Sequence, residues 1–311
     1  MLPMPIAQAD SPAPGLMLAL IVLACFSSLL FWVAVVARHP QGEILPREPR
    51  RRVPWKGADV LVVLLVFIAL SVTALGIIHW VLGPERVEPL PADEVVGPHP
   101  VLEAMMLGGA PVLVLCVIAV VVVAPVAEEF LFRVVLQGWL ESLAERWLLL
   151  LPGVRRWLPG ASGPILLTAV LFAAMHFRVP ERRHKEFLLA LILANAIIFS
   201  LLTGFAVLWL GVRSGATAAD LGLVSDKLAA DLRLGLWSSV GLLGPVYAIQ
   251  IAAYLLVPPH VAPDPFPLFF LALGLGVLYA RTHRVVPCVV VHAALNAASL
   301  AMAWATLESP L

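Results

Sequence analysis

Pro125-Val126-Ala127-Glu128-Glu129-Phe130-Leu131-Phe132-Arg133 sets two adjacent carboxylates and an arginine inside an apolar run that begins near Pro111. A charge at the centre of a bilayer costs about 2.5–3.5 kcal/mol on insertion scales. Three of them so close together need a structural or chemical reason. On a helix Glu129 and Arg133 lie one turn apart and can pair. Glu128 points about 100° away from Glu129 around the axis. One carboxylate is thereby neutralised while the other stays available. A buried ion pair that fixes helix packing accounts for Glu129 and Arg133, but not for Glu128.

The rest of the chain says what surrounds this stretch. Hydrophobic residues make up 61% of the 311 positions and charged residues 13%, against about 45–50% and 25% in soluble domains. With a mean hydropathy of +0.97, the expectation is an all-α, polytopic transmembrane bundle of about eight spans. The neutral net charge argues against nucleic acid as a partner and leaves membrane lipid as the surrounding medium. Cys25, Cys116 and Cys288 stand singly in apolar runs, which fits small core residues better than a disulfide framework or a metal cluster.

Taken in order, residues 1–14 are rich in Pro and Ala and read as unstructured. Apolar runs at 16–37 and 58–82 are long enough to span. Between them, 38–57 is strongly basic. A third span starts near Leu102 and carries the Glu128-Glu129 stretch toward Leu140, with Pro125 as a candidate kink. Pro164–Phe177 is the fourth. At about 1.5 Å per residue it cannot cross a core of about 30 Å, so an earlier start or a re-entrant path is expected. Further spans follow at 187–210, 235–257, 268–280 and 285–304. Between the fifth and sixth, Leu221, Val224, Leu228 and Leu232 share one helical face, which predicts an interfacial amphipathic helix. Fourteen of the twenty Lys and Arg residues then fall on one side, which the positive-inside rule assigns to the cytoplasm. Residues 1–100 read as a tail, two spans and loops, and 101–311 as the core.

Two further pairs, each with a polar residue, sit in apolar helices. Phe172 and His176 are four residues apart, as are His292 and Asn296, so each pair lies on one face. A lone membrane histidine is more often a helix–helix hydrogen bond than a catalyst. Two histidines, an asparagine and a spare glutamate on separate helices shift that balance. Counted along ideal helices, Glu128 lies about 25 Å from the outer end of its run. His292 and Asn296 lie about 9 Å and 15 Å from the opposite end of theirs, and His176 about 18 Å from Pro164. Glu128 and the last helix can therefore meet in the cytoplasmic half. His176 is the poorest match in depth.

Glu-Glu-x-x-x-Arg, then Phe-x-x-x-His, then His-x-x-x-Asn, in that order in apolar helices, resembles the CAAX-protease and bacteriocin-processing (CPBP, or ABI) family of intramembrane endopeptidases. The likeness covers roughly 112–178 and 268–303. It implies a helical bundle around a cavity open to membrane and cytosol, in the cell membrane, acting on peptide or protein substrates with or without a lipid. It implies that Glu128 and His176 activate a water, that His292 and Asn296 hold the oxyanion, and that Glu129, Arg133 and Phe172 support them, with no cofactor. Relative to that pattern, about 179–267 is an insertion between His176 and His292.

The residues leave three other readings open. Glu128, His176 and His292 could bind a catalytic zinc, since three N/O ligands plus water is such a pattern. Glu128 could be the relay of a proton-coupled transporter. A membrane scaffold could retain the motifs without chemistry.

Overall fold

The computed structural model describes residues 13–38, 45–49, 52–83, 88–89, 109–150, 161–176, 181–182, 185–256 and 265–307. These form eight helices, as the apolar runs predict. They are α1 (Ala13–Arg38), α2 (Gly57–Leu82), α3 (109–150), α4 (Ser162–Met175), α5 (Lys185–Ser214), α6 (Leu228–Leu256), α7 (Pro265–Thr282) and α8 (Val285–Leu307). Seven are long and apolar enough to cross a membrane, and α4 is shorter. The other regular structure among the described residues is a single 3-10 turn, Ser225–Lys227, and a two-residue antiparallel pair, β1 (Glu88–Pro89) with β2 (Glu181–Arg182). The expected disorder before residue 13 and the start of α3 near Leu102 lie outside the described residues.

Contacts between connecting segments fix which helix ends share a face. The Glu48 backbone N–H donates to the Arg281 carbonyl at 2.9 Å. The Val53 N–H donates to Ser142 Oγ at 3.3 Å, and Arg52 pairs with Glu145 at 3.5 Å. Lys227 reaches Glu48 at 2.6 Å, and the Val285 N–H donates to the Gly222 carbonyl at 3.3 Å. The segments after α1, at the end of α3, before α6 and between α7 and α8 therefore lie together. The β1–β2 pair ties the chain after α2 to the chain after α4 at the other end. Helix α4 starts at Ser162, and its 14 residues span only about 21 Å, short of the membrane-crossing length of the other seven helices.

One expectation fails. Leu221, Val224, Leu228 and Leu232 do not share a helix. Gly215 turns at φ +67 directly after α5. Thr217 and Asp220 then hold each other's backbone N–H groups through Oδ2 at 2.8 Å and Oγ1 at 3.3 Å. Gly222 sits at φ +74, where a Cβ would come within 2.8 Å of the Val285 nitrogen. Such side chain–backbone turns compete with the helix. Helix α6 begins only at Leu228, earlier than the expected Gly235, and Leu221 is buried in the core while Leu228 and Leu232 are exposed.

The long helices pack where small residues permit it. Pro245 lies inside α6 and has no N–H for the Gly241 carbonyl one turn back. Helix α1 supplies the missing donors, Ser28 Oγ–H at 2.8 Å and Trp32 Nε1–H at 3.0 Å. The approach is close enough that a Cβ on Gly244 would lie 2.4 Å from Ser28 Cβ. Helix α6 then packs on α7 and α8, α4 on α7, and α2 on α5, while α3 touches α4, α5 and α8. Helix α3 therefore stands between the elements that carry the two histidines.

Candidate active site

Helix α3 is not a uniform α-helix. Ile118–Val123 and Phe130–Gln137 are π-helical, on either side of the α-helical Ala124–Glu129. In the first π stretch the Ala124 N–H reaches back five residues to the Ala119 carbonyl. The next donor in that register would be position 125, a proline with no N–H. The Val120 carbonyl is the one left over, and Asn296 Nδ2–H of α8 donates to it at 2.9 Å. Proline 125 thus acts less as a kink than as the cause of a side-chain bond between α3 and α8. Such π insertions concentrate at functional sites, and here two of them bracket Glu128-Glu129.

Glu129 and Arg133 form the expected pair, fully buried, with Arg133 Nε–H donating to Oε2 at 3.0 Å. The other oxygen, Oε1, accepts from His292 Nδ1–H at 2.9 Å. A carboxylate only accepts, so that nitrogen carries a proton and Nε2 is turned the other way. It faces Glu128 Oε2 at 3.8 Å. His176 is oriented by the same logic. Its Nδ1–H donates to the Phe172 carbonyl at 2.8 Å, and its Nε2 faces the same Glu128 oxygen at 3.7 Å. One carboxylate oxygen therefore has an imidazole Nε2 on each of two sides. The shortness of α4 makes this possible. His176 follows its last residue, so the helix stops inside the bundle instead of at its surface, and the depth mismatch expected from sequence disappears.

Phe172 is the apolar hub of the cluster. It is wholly buried, with ring centroids 4.6 Å from His176 and 5.7 Å from His292. The Arg133 guanidinium carbon lies 5.9 Å from its ring centre, within cation–π range. Exposure grades across the site. The Glu129 side chain is sealed and that of His292 is 4% exposed, against 14% for Glu128 and 25% for His176. The cluster is therefore least enclosed on its Glu128–His176 side. Six of the seven residues expected from sequence meet directly. The seventh, Asn296, lies one turn along α8 from His292 with its amide on Val120.

The buried polar series does not end at Arg133, the last residue of it expected from the sequence. Gln137 and Glu141 continue the series Glu129, Arg133 at four-residue steps. Both are buried, with Gln137 Nε2–H donating to Glu141 Oε1 at 2.9 Å. Thr168, one turn before Phe172 on α4, is buried as well and accepts from Arg133 Nη1 at 3.4 Å. The four-residue spacing of polar positions in apolar helices was the available signal. Among the described residues no cluster of three or more His, Cys, Asp or Glu side chains is arranged to hold a metal ion.

The family comparison is independent of this geometry. The family model described as type II CAAX prenyl endopeptidase Rce1-like matches residues 110–219 and 231–298, more than half of the chain. No curated protein and no solved structure matches. The matched segments contain every side chain of the cluster. The chain belongs to the Rce1-like family of type II CAAX prenyl endopeptidases, a family of membrane peptidases.

Proposed function

We propose that the protein is an intramembrane endopeptidase that hydrolyses peptide bonds of membrane-associated substrates, CAAX-type prenylated chains being the class its family points to. The observation that carries this reading is the convergence of His176 Nε2 and His292 Nε2 on Glu128 Oε2, at 3.7 and 3.8 Å, inside a bundle of membrane-length helices. These separations exceed a direct hydrogen bond and suit a water within reach of both Glu128 and His176. Glu128 takes the proton from that water as it attacks the scissile carbonyl, and the proton then passes to the leaving amine. The oxyanion accepts from His292 Nε2–H and from the Asn296 amide. His292 already donates Nδ1–H to Glu129, so donation from Nε2 requires both ring protons, with Glu129 as counter-ion. Asn296 uses one amide hydrogen on Val120 and has a second for the oxyanion. The test is incubation of the purified protein in lipid nanodiscs with prenylated and unprenylated CAAX peptides. Cleavage supports the reading. Uptake driven by a pH gradient, without cleavage, supports the transporter instead.

A zinc reading has one observation in its favour. Both histidines are held through Nδ1–H by an oxygen acceptor and present Nε2, as zinc-binding histidines are. The glutamic reading expects activity to survive chelator dialysis, with elemental analysis finding no metal that tracks turnover. Loss of activity restored only by added metal, at one ion per chain, would select zinc.

We assign the face carrying Arg52, Lys227 and Arg284 to the cytosol, on the positive-inside rule, and so the site to a cell membrane with its entrance served from that side. A cysteine at Ser225, which lies in a short turn on this face, is expected to react with an impermeant thiol reagent only in inside-out vesicles. Labelling only in right-side-out vesicles would reverse the topology.

A further inference from the structure

We propose that Thr168 and Gln137 are positioning residues for the reaction, acting through Arg133 and Glu129 on His292; the functional part of this rests on the peptidase reading above. Arg133 Nη1–H donates to two oxygens, Gln137 Oε1 and Thr168 Oγ1, each at 3.4 Å. Both acceptors are held so that they cannot turn away. Gln137 Nε2 donates to Glu141 Oε1 at 2.9 Å and to the Gly276 carbonyl of α7 at 3.0 Å. Two acceptors on the nitrogen side determine which end of the amide is which, so Oε1 must face Arg133. Thr168 Oγ1–H lies 2.9 Å from the Pro164 carbonyl and 3.0 Å from that of Ile165. Its proton is spent on its own helix, and its lone pairs face Arg133.

The consequence is a directed chain. Gln137 and Thr168 set the guanidinium plane, and the guanidinium presents Nε–H to Glu129 Oε2. Glu129 is then left with Oε1 for His292 Nδ1–H, and His292 is turned so that Nε2 faces Glu128. Thr168, Gln137, Glu129 and Arg133 are all wholly buried, where a misdirected polar group has no water to turn to. Helix α4 uses successive turns on this single task. Thr168 holds Arg133, Phe172 lies beneath the same guanidinium and against His292, and His176 faces Glu128. Thr168 therefore couples the placement of His176 to that of His292, although it touches neither.

The test compares Thr168→Val, Thr168→Ser and Gln137→Leu in nanodiscs, by steady-state kinetics and by 15N NMR of histidine-labelled protein with the His292 signals assigned from a His292→Gln sample. Thr168→Val is nearly isosteric, and Thr168→Ser keeps the acceptor. A displacement of a reacting group by about 1 Å can lower rate about 100-fold, so Thr168→Val and Gln137→Leu are expected to lower kcat by about 10- to 100-fold. KM should stay within about twofold, and Thr168→Ser should lie close to wild type. The His292 ring signals should move in the Val and Leu variants and not in the Ser variant. Unchanged His292 signals in folded Thr168→Val would overturn the proposal, whatever the rate. So would wild-type kcat in that variant. If Gln137→Leu does not fold, the Thr168 pair decides. If no form of the protein, wild type included, cleaves any peptide, the peptidase reading fails while the ring signals still decide this one.

Discussion

Arg133→Ala is expected to lower the thermal midpoint of the detergent-solubilised protein by on the order of 10 °C and to abolish folding in part of the population. Arg133 is wholly buried and is the cation bonded to the fully buried Glu129 carboxylate. It also bonds Gln137 and Thr168 and lies over Phe172. Truncation leaves a buried carboxylate facing only His292, two oxygen acceptors without their shared donor, and a cavity beside an aromatic ring. Removing one partner of a buried ion pair typically destabilises by about 3–5 kcal/mol, and this is the largest stability effect expected of a single side chain here. Activity should fall with the folded fraction and further, since Glu129 would then orient His292 unaided. Wild-type thermal stability in Arg133→Ala would mean that the Glu129–Arg133 pair does not hold the helices as described.

Glu128→Gln is expected to do the opposite, removing activity while leaving the fold. Glu128, at 14%, is the most exposed of the charged or polar α3 groups in the cluster, the others being buried. The amide has the same shape and can still contact both histidines. What it cannot do is take a proton. Loss of a general base typically lowers the rate by about 100- to 10,000-fold. The thermal midpoint should stay near wild type. The contrast between the two variants separates a group that reacts from one that positions.

Much of the site could be read from sequence because membrane burial makes polar residues expensive. In an apolar helix, each polar side chain that persists points to a partner or a role, and four-residue spacing states which side chains share a face. That is why Glu128, Glu129, Arg133, His176 and His292 stand out in the sequence, and why the same spacing, carried two steps further, reaches Gln137 and Glu141. The bond from Asn296 to Val120 was not legible. It depends on the π-helical register ahead of Pro125, which sequence spacing does not reveal. The turn at 215–224 is hidden in the sequence for a related reason. The apolar periodicity through Leu221 and Leu228 was real, but Gly215, Gly222 and the Thr217–Asp220 bonds outweigh it locally. The meeting of His176 with Glu128 came from the length of α4. That was visible as an anomaly, though its consequence was not.

Under the proposed function, Glu128 carries a hydrolysis. The most direct measurement is mass spectrometry of peptide products formed in 18O-labelled water by wild-type and Glu128→Gln protein, purified and reconstituted side by side at matched folded concentration. The wild type is expected to yield two fragments, with 18O in the newly formed C-terminal carboxylate, and Glu128→Gln none above the protein-free control. Normal turnover and label incorporation by Glu128→Gln would contradict it.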